Sequence, residues 1–381
     1  MSTEPAAPPA SGGQPSPTAG AGRPEPTPSG FVLVDKPAGW TSHDVVARLR
    51  RLVGTRRVGH AGTLDPMATG LLVCGVGRAT RLLGLVGGED KTYIARLRCG
   101  VETVTDDAMG LATAARGAAG LSRAELVAAG QAFLGAGQQV PSAVSAVKVG
   151  GRRAYDLVRR GQTPELAARP IRIDRLEWGE AVVGWWTPPA DDPSAAGSDS
   201  AVVVPDRIAG VSALDAAGPD SAAVVPDPAG PAPDSADAGS PPAGAVPVLD
   251  IDLAVDCSAG VYIRALARDL GRAVGAGAHL IALRRTRSGA LSVDEAEVGA
   301  AELAAGRPVA PRPVADVLTR VLPYRVVDAE QARRIGYGQD IGLDLAGPTA
   351  LVDERGRALA VYRPEGGRAR PQVVLQGAGS D

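Results

Sequence analysis

Apolar residues recur along this chain with two different periods. Between residues 42 and 53 they recur at every third or fourth position, which is the spacing of one helix face, and Thr41 or Ser42 can cap the start of that helix. The runs 31–35 and 171–178 alternate instead, which is typical of half-buried strands. The same criteria predict further strands over residues 71–76, 93–99 and 248–257, and further helices over 79–86, 123–134, 152–160, 261–274 and 300–305.

The order of these elements indicates the fold class. Strands and helices alternate, but without the even spacing of a doubly wound parallel sheet, so we predict an α+β fold. From Leu322 onward, short apolar runs alternate with Gly and Asp residues. We therefore predict a small β-rich domain over residues 321–378.

Low-complexity sequence occupies two parts of the chain. Twenty of the 32 prolines lie in residues 1–30 and 188–247, which contain few large apolar side chains. Residues 1–30 lack a basic start followed by an apolar core, so we predict a disordered tail and not a secretory signal. The second segment separates two predicted strands, and a long excursion at a hairpin tip adds little closure entropy. We predict that it is a flexible, acidic surface insert.

Charge is distributed unevenly over these parts. The whole chain carries a formal net charge of −2, but residues 188–247 contain nine aspartates and one arginine, a net charge of −8. Residues 1–30 contribute a further −1, which leaves +7 for the rest of the chain. A basic body favours a polyanionic partner such as a nucleic acid, because neutralising phosphates releases counterions.

Composition also narrows the class of protein. The three cysteines and three histidines lie far apart in the sequence and form no metal-ligand spacing, so neither a zinc site nor a disulfide framework is predicted. The sequence contains no P-loop, no dinucleotide-binding glycine motif and no apolar run long enough to span a bilayer. These features predict a cytoplasmic protein that uses no cofactor and no metal.

The most informative segment is residues 59–70, Gly-His-Ala-Gly-Thr-Leu-Asp-Pro-Met-Ala-Thr-Gly. Its one carboxylate, Asp65, stands between glycines that permit unusual backbone angles and next to a proline that restricts the residue before it. Two interpretations are open from the residues alone. Asp65 is either a rigidly held reactive group or the capping residue of a tight structural turn.

Seven sequence blocks carry a resemblance to a known family. They include FVLVDKP with GWTS, GHAGTLDPMATGLL, DKTY, PSAVSAVK, RPI, CSAGVYIR and GAHL followed by LRR. The blocks occupy residues 31–42, 59–72, 90–93, 141–148, 169–171, 257–264 and 277–285. In this order they resemble the bacterial tRNA pseudouridine synthase B family (TruB), over about residues 31–180 and 248–290.

The resemblance implies a fold and a reaction. It implies a catalytic domain with a mixed or antiparallel sheet and flanking helices over residues 31–187 and 248–298, interrupted by the insert at 188–247, and a PUA-like RNA-binding domain over 321–378. The implied activity is conversion of uridine to pseudouridine at position 55 in the T arm of tRNA, after the base is flipped out. Isomerisation of this kind requires no cofactor. We expect tRNA as the partner, no membrane and no obligate protein partner, and a monomer.

Roles for individual residues follow from the family motifs. Asp65 corresponds to the nucleophile and Arg264 to the arginine that favours its charged form. Tyr93 corresponds to a tyrosine that stacks on the target base, and its hydroxyl is in addition a candidate to assist the proton step at C5. The implied substrate-binding residues are His60, Tyr93, Tyr262, Leu283 and Lys148.

Structural interpretations of the same residues stay open. Arg264 can form an ordinary salt bridge at the start of a helix, and both tyrosines can pack in the core. If residues 262–264 enter as a strand, Tyr262 and Arg264 point to the same side. The chain departs from the family pattern at Val104, where an aspartate is usual, whereas Asp107 is kept.

Two alternative functions are open at this stage. One is a tRNA-binding and folding module without essential catalysis, and the other is a pseudouridine synthase for another RNA. The intact set of Asp65, Tyr93 and Arg264 argues against a pure binding module.

Overall fold

The computed structural model describes residues 28–144, 148–149, 152–153, 166–188 and 241–375. Within these ranges the strands are β1 (Gly30–Lys36), β2 (Val58–Ala61), β3 (Thr69–Val76), β4 (Lys91–Cys99), β5 (Val101–Thr103), β6 (Ala112–Ala115), β7 (Gly135–Gln139), β8 (Lys148–Val149), β9 (Arg152–Arg153), β10 (Arg169–Trp186), β11 (Val246–Cys257), β12 (Ala278–Ser288), β13 (Leu291–Ser292), β14 (Tyr324–Val327), β15 (Thr349–Asp353), β16 (Ala358–Glu365) and β17 (Arg368–Val374). The helices are α1 (Ser42–Leu52), α2 (Leu83–Val86), α3 (Arg123–Gly130), α4 (Ile263–Ala273), α5 (Ala300–Ala305), α6 (Val314–Val321) and α7 (Ala329–Gly336).

Nine of the described strands form one mixed sheet. Its order is β1-β3-β12-β4-β11-β10-β7, with β2 paired to β3 and β13 paired to β12. The neighbouring strands are antiparallel except β3 and β12, which run parallel where Thr69 and Gly70 face Arg284 and Arg285. The predicted α+β class with a mixed sheet is confirmed.

The main core lies on one face of the central strands. Alternate side chains of a strand share a face, and the residues of β4 that alternate toward the core are Tyr93, Ala95, Leu97 and Cys99. Helix α4 covers this face with Ile263, Leu266 and Leu270, all of which are buried. The start of α4 is therefore held rigidly beside the N-terminal end of β4.

The last part of the chain forms a small β-rich, PUA-like domain, as predicted. Its sheet has the order β14-β15-β16-β17, and helix α7 packs against β16 and β17. The end of β17 contacts the larger part of the molecule, because the Arg78 guanidinium donates a 2.5 Å hydrogen bond to the Leu375 carbonyl oxygen. Helix α6 precedes this domain, and its Arg320 pairs with Glu295 at 2.5 Å.

Several predicted helices have different bounds in the structure. The predicted helix 79–86 divides into a 3-10 helix over Gly77–Leu82 and the short α2. The predicted helix 123–134 ends at Gly130 and continues as a 3-10 turn. The predicted helix 152–160 is wrong at its start, because Arg152–Arg153 pairs with Lys148–Val149 as a two-stranded ribbon. Residues 154–160 lie outside the described residues, as do 1–27 of the predicted tail and 189–240 of the predicted insert.

The entry into α4 also differs from the prediction. Tyr262 is the N-cap residue and Ile263 begins the helix, so strand alternation does not apply to residues 262–264. Arg264 lies in the first turn of α4 and is buried, whereas Tyr262 is half-buried. Because the segment enters as a helix, the two side chains lie in different environments. In a strand they would have pointed to the same side.

Candidate active site

Asp65 lies in the loop between β2 and β3, and the first turn of α1 holds this loop. The Ser42 hydroxyl donates to the Leu64 carbonyl oxygen at 3.0 Å and accepts from the Leu64 amide at 2.9 Å. Thr41 caps the same helix, where its side chain accepts from the Asp44 amide. Both the amide and the carbonyl group of Leu64, the residue before Asp65, are thus bonded to the buried Ser42 hydroxyl.

Lys36, the last residue of β1, holds the other side of the loop. The lysine is fully buried, and its ammonium donates to the carbonyl oxygens of Trp40, Pro37 and Pro66 at 2.6, 3.0 and 3.2 Å. Burial lowers the pKa of Lys36 to about 8, although the charge of Asp65 opposes this effect. Lys36 is therefore a buried cation beneath the loop, close enough to Asp65 to interact with its charge.

Two glycines are required by the geometry of this loop. Gly62 has a φ of +90° and Gly70 a φ of +96°, a region that side-chain-bearing residues rarely adopt. At Gly70 a Cβ atom would also collide with the backbone of Arg285, where β3 and β12 run parallel. The glycines quoted from the sequence therefore allow the loop to turn and β12 to approach it closely.

Arg264 binds the Asp65 carboxylate with two parallel hydrogen bonds. Its Nε lies 2.8 Å from Oδ2 and its Nη2 lies 2.9 Å from Oδ1. The guanidinium also donates to the carbonyl oxygens of Thr105 and Val144, at 2.7 and 3.0 Å. The Arg264 side chain is 5% exposed and the Asp65 side chain 33%. A buried, fully bonded arginine thus fixes a carboxylate that is still open to an incoming molecule.

Asp107 is the second carboxylate beside Arg264. Its Oδ2 lies 3.5 Å from the Arg264 Nε, and its Oδ1 accepts from the Thr105 hydroxyl at 2.5 Å and the Met109 amide at 3.0 Å. Burial raises the pKa of Asp107, whereas Arg264 lowers it. The turn that carries Asp107 places Asp106 at a φ of +58°. Asp107 therefore shares Arg264 with Asp65 and orients the guanidinium from behind.

A cavity of about 260 Å³ opens directly onto Asp65. Tyr93, Tyr262 and Leu283 line it together with Asp65 and Arg264. Tyr93 and Leu283 are buried at 8% and 5% exposure, and Tyr262 is half-buried. This volume is at the small end of the range for small-molecule sites and suits a single planar base. The aromatic and aliphatic walls suit the faces of such a base.

The cavity also contains two cations that the sequence interpretation did not assign. Arg285 is 2% exposed and donates from Nε to the Leu71 carbonyl oxygen at 2.7 Å and from Nη2 to the Gly62 carbonyl oxygen at 3.1 Å. The Lys91 ammonium donates to the carbonyl oxygens of Gly87 and Glu89. Burial lowers the pKa of Lys91 to about 8, and Arg285 contributes to this shift.

The structure brings most of the predicted residues together. Asp65, Arg264, Tyr93, Tyr262 and Leu283 all line one cavity. Arg285, Lys91 and Lys36 stood within the matched blocks, and Asp107 was noted as kept in the family pattern, but none of them was given a role. Lys36 closely follows the apolar residues 31–34, and Arg285 closely follows the apolar residues 280–283, so a charged residue at the end of an apolar run was the available signal.

The other two predicted substrate-binding residues are His60 and Lys148. His60 lies in β2 opposite Cys74, and its ring contacts the His43 ring edge-on with centroids 5.8 Å apart. Burial lowers the pKa of His60, and its Nδ1 is buried without a hydrogen-bond partner among the described residues. Lys148 lies in β8, and its side chain falls outside the described residues.

Two further features are absent from the described ranges, a metal-binding cluster and a membrane-spanning helix. No group of three or more His, Cys, Asp or Glu side chains there is arranged to hold a metal ion. No helix in the same ranges is long and apolar enough to cross a membrane.

Comparison of the sequence with family models gives three matches. Residues 50–183 match the model described as TruB family pseudouridylate synthase, N-terminal domain. Residues 264–322 match the tRNA pseudouridylate synthase B C-terminal domain, and residues 322–376 match the tRNA pseudouridine synthase II C-terminal model.

Comparison with individual proteins agrees with these matches. The chain is 42% identical to the tRNA pseudouridine synthase B of Thermobifida fusca over 350 residues, which cover 92% of this chain and 99% of the relative. It is 40% identical to the protein of the same name from Arthrobacter sp. over 357 residues, which cover 91% and 96%.

Solved structures with the same fold have much lower sequence identity. One chain from a structure titled "Structure of H/ACA RNP bound to a substrate RNA containing 2'-deoxyuridine" superposes with a TM-score of 0.56 at 18% identity, covering 92% of this chain and 86% of that one. A chain from a Cbf5-Nop10-Gar1 complex gives a TM-score of 0.55 at 19% identity, covering 91% and 84%. From the family models and the relatives of about 40% identity, we conclude that this chain belongs to the TruB family of pseudouridylate synthases.

Proposed function

We propose that this protein isomerises uridine to pseudouridine at position 55 in the T arm of tRNA, and that Asp65 is the nucleophile. The observation that carries the proposal is the position of the Asp65 carboxylate, which Arg264 holds at the opening of a cavity of the size of one base. Membership of the family and the names of the relatives support the reaction and the RNA class.

The chemistry requires the glycosidic bond to break and the base to return through another atom. Uridine loses its C1′–N1 bond, the uracil rotates, and C5 forms a new bond to C1′. A carboxylate can drive this by attack at C1′, by addition to C6, or by assisting elimination to a glycal. Each route needs an ionised carboxylate close to the sugar. Arg264 pairs with the Asp65 carboxylate through two hydrogen bonds and so fixes its orientation at the opening of the cavity.

The cavity walls account for retention of the detached base. The rings of Tyr93 and Tyr262 and the side chain of Leu283 provide apolar contact around the space in front of Asp65. Stacking of a base on an aromatic ring contributes about 1–3 kcal/mol. A buried wall of this kind excludes water from C1′, so that hydrolysis does not compete with reattachment through C5.

Access to C1′ requires the target nucleotide to leave the RNA stack. Base extrusion costs a few kcal/mol, and contacts to the phosphate backbone offset this cost. The sequence outside the tail and the insert carries a net charge of +7, which suits such contacts. We propose that the chain acts as a monomer on the T arm, with His60 and Lys148 as contacts to RNA around the extruded base.

Pseudouridine mapping on a synthetic RNA tests the proposal. The purified full chain is incubated with an unmodified T-arm hairpin, and the product is mapped after carbodiimide treatment. We expect pseudouridine at the nucleotide equivalent to position 55, and none in a matched hairpin with cytidine at that position. Absence of pseudouridine in both the hairpin and full-length tRNA would contradict the proposal.

The same assay separates the alternative functions. A tRNA-binding module without catalysis would retard the hairpin in a gel and leave its uridine unchanged. A synthase for another RNA would modify ribosomal RNA fragments in preference to the T arm. The Arg264–Asp65 pair favours an enzyme, because a binding module gains nothing from a preorganised carboxylate that repels phosphate.

A further inference from the structure

Arg285 is a buried cation without a carboxylate partner among the described residues. Its guanidinium donates to the backbone carbonyl oxygens of Leu71 and Gly62, at 2.7 and 3.1 Å. By contrast, Arg264 in the same cavity has two carboxylates, Asp65 and Asp107. Isolated buried charges are costly. Hydrogen bonds to two carbonyl groups do not neutralise the positive charge of Arg285 as a carboxylate would.

The strand register brings Arg285 to one particular side chain. Arg285 of β12 and Tyr93 of β4 are direct antiparallel partners, so their side chains leave the sheet together on the same face. Both line the cavity in front of Asp65. Burial raises the pKa of the Tyr93 phenol, and this effect dominates, whereas the charge of Arg285 and its hydrogen bonding to the phenol lower the pKa.

We propose that Arg285 is a positioning residue for Tyr93, which holds the phenol oxygen over the cavity and stabilises it as a phenolate. The inference rests on the proposed function, because it concerns the proton step that completes the isomerisation. Once the new C5–C1′ bond has formed, C5 still carries its hydrogen. An acceptor at a fixed place must remove this proton before the product can leave.

The Tyr93 phenolate, the nucleotide and water account for every bond and proton of this step. The C5–H bond breaks and its proton passes to the Tyr93 phenolate oxygen, which becomes a neutral phenol. The electron pair of that bond restores the C5–C6 double bond, and the C6–N1 π pair moves to N1, which takes up a proton from water. The phenolate has to be populated first, and the adjacent guanidinium favours it, because an opposite charge within a few ångströms stabilises the ionised form.

Fluorine NMR of the phenol tests this inference without RNA and without turnover. The chain contains six tyrosines, and labelling with 3-fluorotyrosine gives each a resonance, with that of residue 93 assigned by its loss in Tyr93→Phe. We expect the resonance to titrate about one pH unit higher in Arg285→Gln than in the wild type. Arg285→Lys keeps the charge without the planar fork and should recover part of the shift.

A matched control removes the same charge from the neighbouring position. Arg284 lies on the opposite face of β12 and pairs with Asp35 at 2.9 Å, so Arg284→Gln should leave the titration of Tyr93 unchanged. If Arg285→Gln does not fold, Arg285→Met fills the same space and is judged by the same criterion. An unchanged titration of residue 93 in the folded Arg285 variant would overturn the inference.

Turnover gives the second readout. In single-turnover reactions with saturating tRNA, the rate of Arg285→Gln should fall at least tenfold near pH 7.5 and recover as the pH rises, with tRNA affinity changed less than threefold. A pH-independent loss would indicate a purely structural role and overturn the inference. Failure of the wild type to form pseudouridine would contradict the proposed function, whereas the NMR titration would still decide the relation between Arg285 and Tyr93.

Discussion

The guanidinium of Arg264 and the carboxylate of Asp65 form a two-point contact, with N–O distances of 2.8 and 2.9 Å, across 199 positions of sequence. Arg264 is buried and Asp65 is one-third exposed, so the arginine holds the carboxylate from below and leaves one side open. The helix that carries Arg264 and the loop that carries Asp65 therefore form the site only in the folded chain.

Removal of Arg264 should affect both rate and stability. We expect Arg264→Gln to reduce the rate of pseudouridine formation at least a hundredfold, and Arg264→Lys somewhat less, because a lysine cannot form the two-point contact. Arg264→Gln also leaves Asp107 buried without its cation, at a cost of about 3 kcal/mol in the free energy of unfolding. Urea denaturation measures this cost.

A second substitution checks the origin of the lost stability. Adding Asp107→Asn to Arg264→Gln removes the uncompensated buried charge and should recover part of the free energy of unfolding, without recovering activity. If the double variant is no more stable than Arg264→Gln, the loss does not arise from the Asp107 carboxylate.

Tyr93 should contribute to the reaction through its ring and its hydroxyl separately. Tyr93→Phe keeps the ring that faces the cavity, so we expect tRNA affinity within threefold of the wild type and a rate lowered at least a hundredfold. Tyr93→Ala removes the stacking surface as well, which is worth about 1–3 kcal/mol in binding. Filter binding and single-turnover assays distinguish the two contributions. Equal rates for Tyr93→Phe and the wild type would exclude a role of the hydroxyl.

Acid should weaken the ion pair that holds helix α6 against the segment after β13. Hydrogen bonds from Arg320, together with smaller contributions from Ser292 and Arg312, lower the pKa of Glu295 to about 2 from an ordinary 4.5. Because the folded-state pKa is depressed, the stabilisation is present above pH 4.5 and is lost as the pH falls toward 2. We expect Glu295→Gln to be about 1 kcal/mol less stable at pH 7. The difference should vanish near pH 2, as measured by denaturant unfolding.

Deletion of residues 190–245 should leave the site intact. Strands β10 and β11 remain paired up to Trp186 and Val246, so a short turn can join them at that point. Residues 188–247 carry a net charge of −8, which repels RNA. We expect unchanged activity at physiological salt and tighter tRNA binding at low salt, measured over 20–200 mM KCl. A large loss of activity would contradict the interpretation as a surface insert.

Sequence patterns predicted the strands best where one face is apolar. β1, β3, β4 and β11 were predicted within two residues of their observed bounds, because alternation and apolar runs report burial directly. β12 was missed, since its apolar half is followed by Arg284, Arg285 and Arg287, which conceal the strand pattern. Their burial depends on partners in other strands, which local sequence does not reveal.

The matched motifs predicted the residues of the site. They did not predict which of these residues contact one another or which elements carry them. The family, the fold class and the enzyme class are confirmed, whereas the roles of Asp65, Arg264 and Tyr93 stay predictions. The sequence could not show that Arg285 faces Tyr93, because that relation depends on the register of two strands almost 200 residues apart. Nor could it show that Tyr262 caps a helix, since extended and helical entries share the same short motif.

Release of tritium from tRNA labelled at C5 of uridine decides whether Asp65 is the nucleophile. We expect Asp65→Asn to release no tritium above background, while its affinity for tRNA falls less than about tenfold, or roughly 1.4 kcal/mol. The control Asp174→Asn, which removes an exposed carboxylate from β10, should release tritium at the wild-type rate. Release by Asp65→Asn at a rate near that of the wild type would contradict the assignment of Asp65 as the nucleophile.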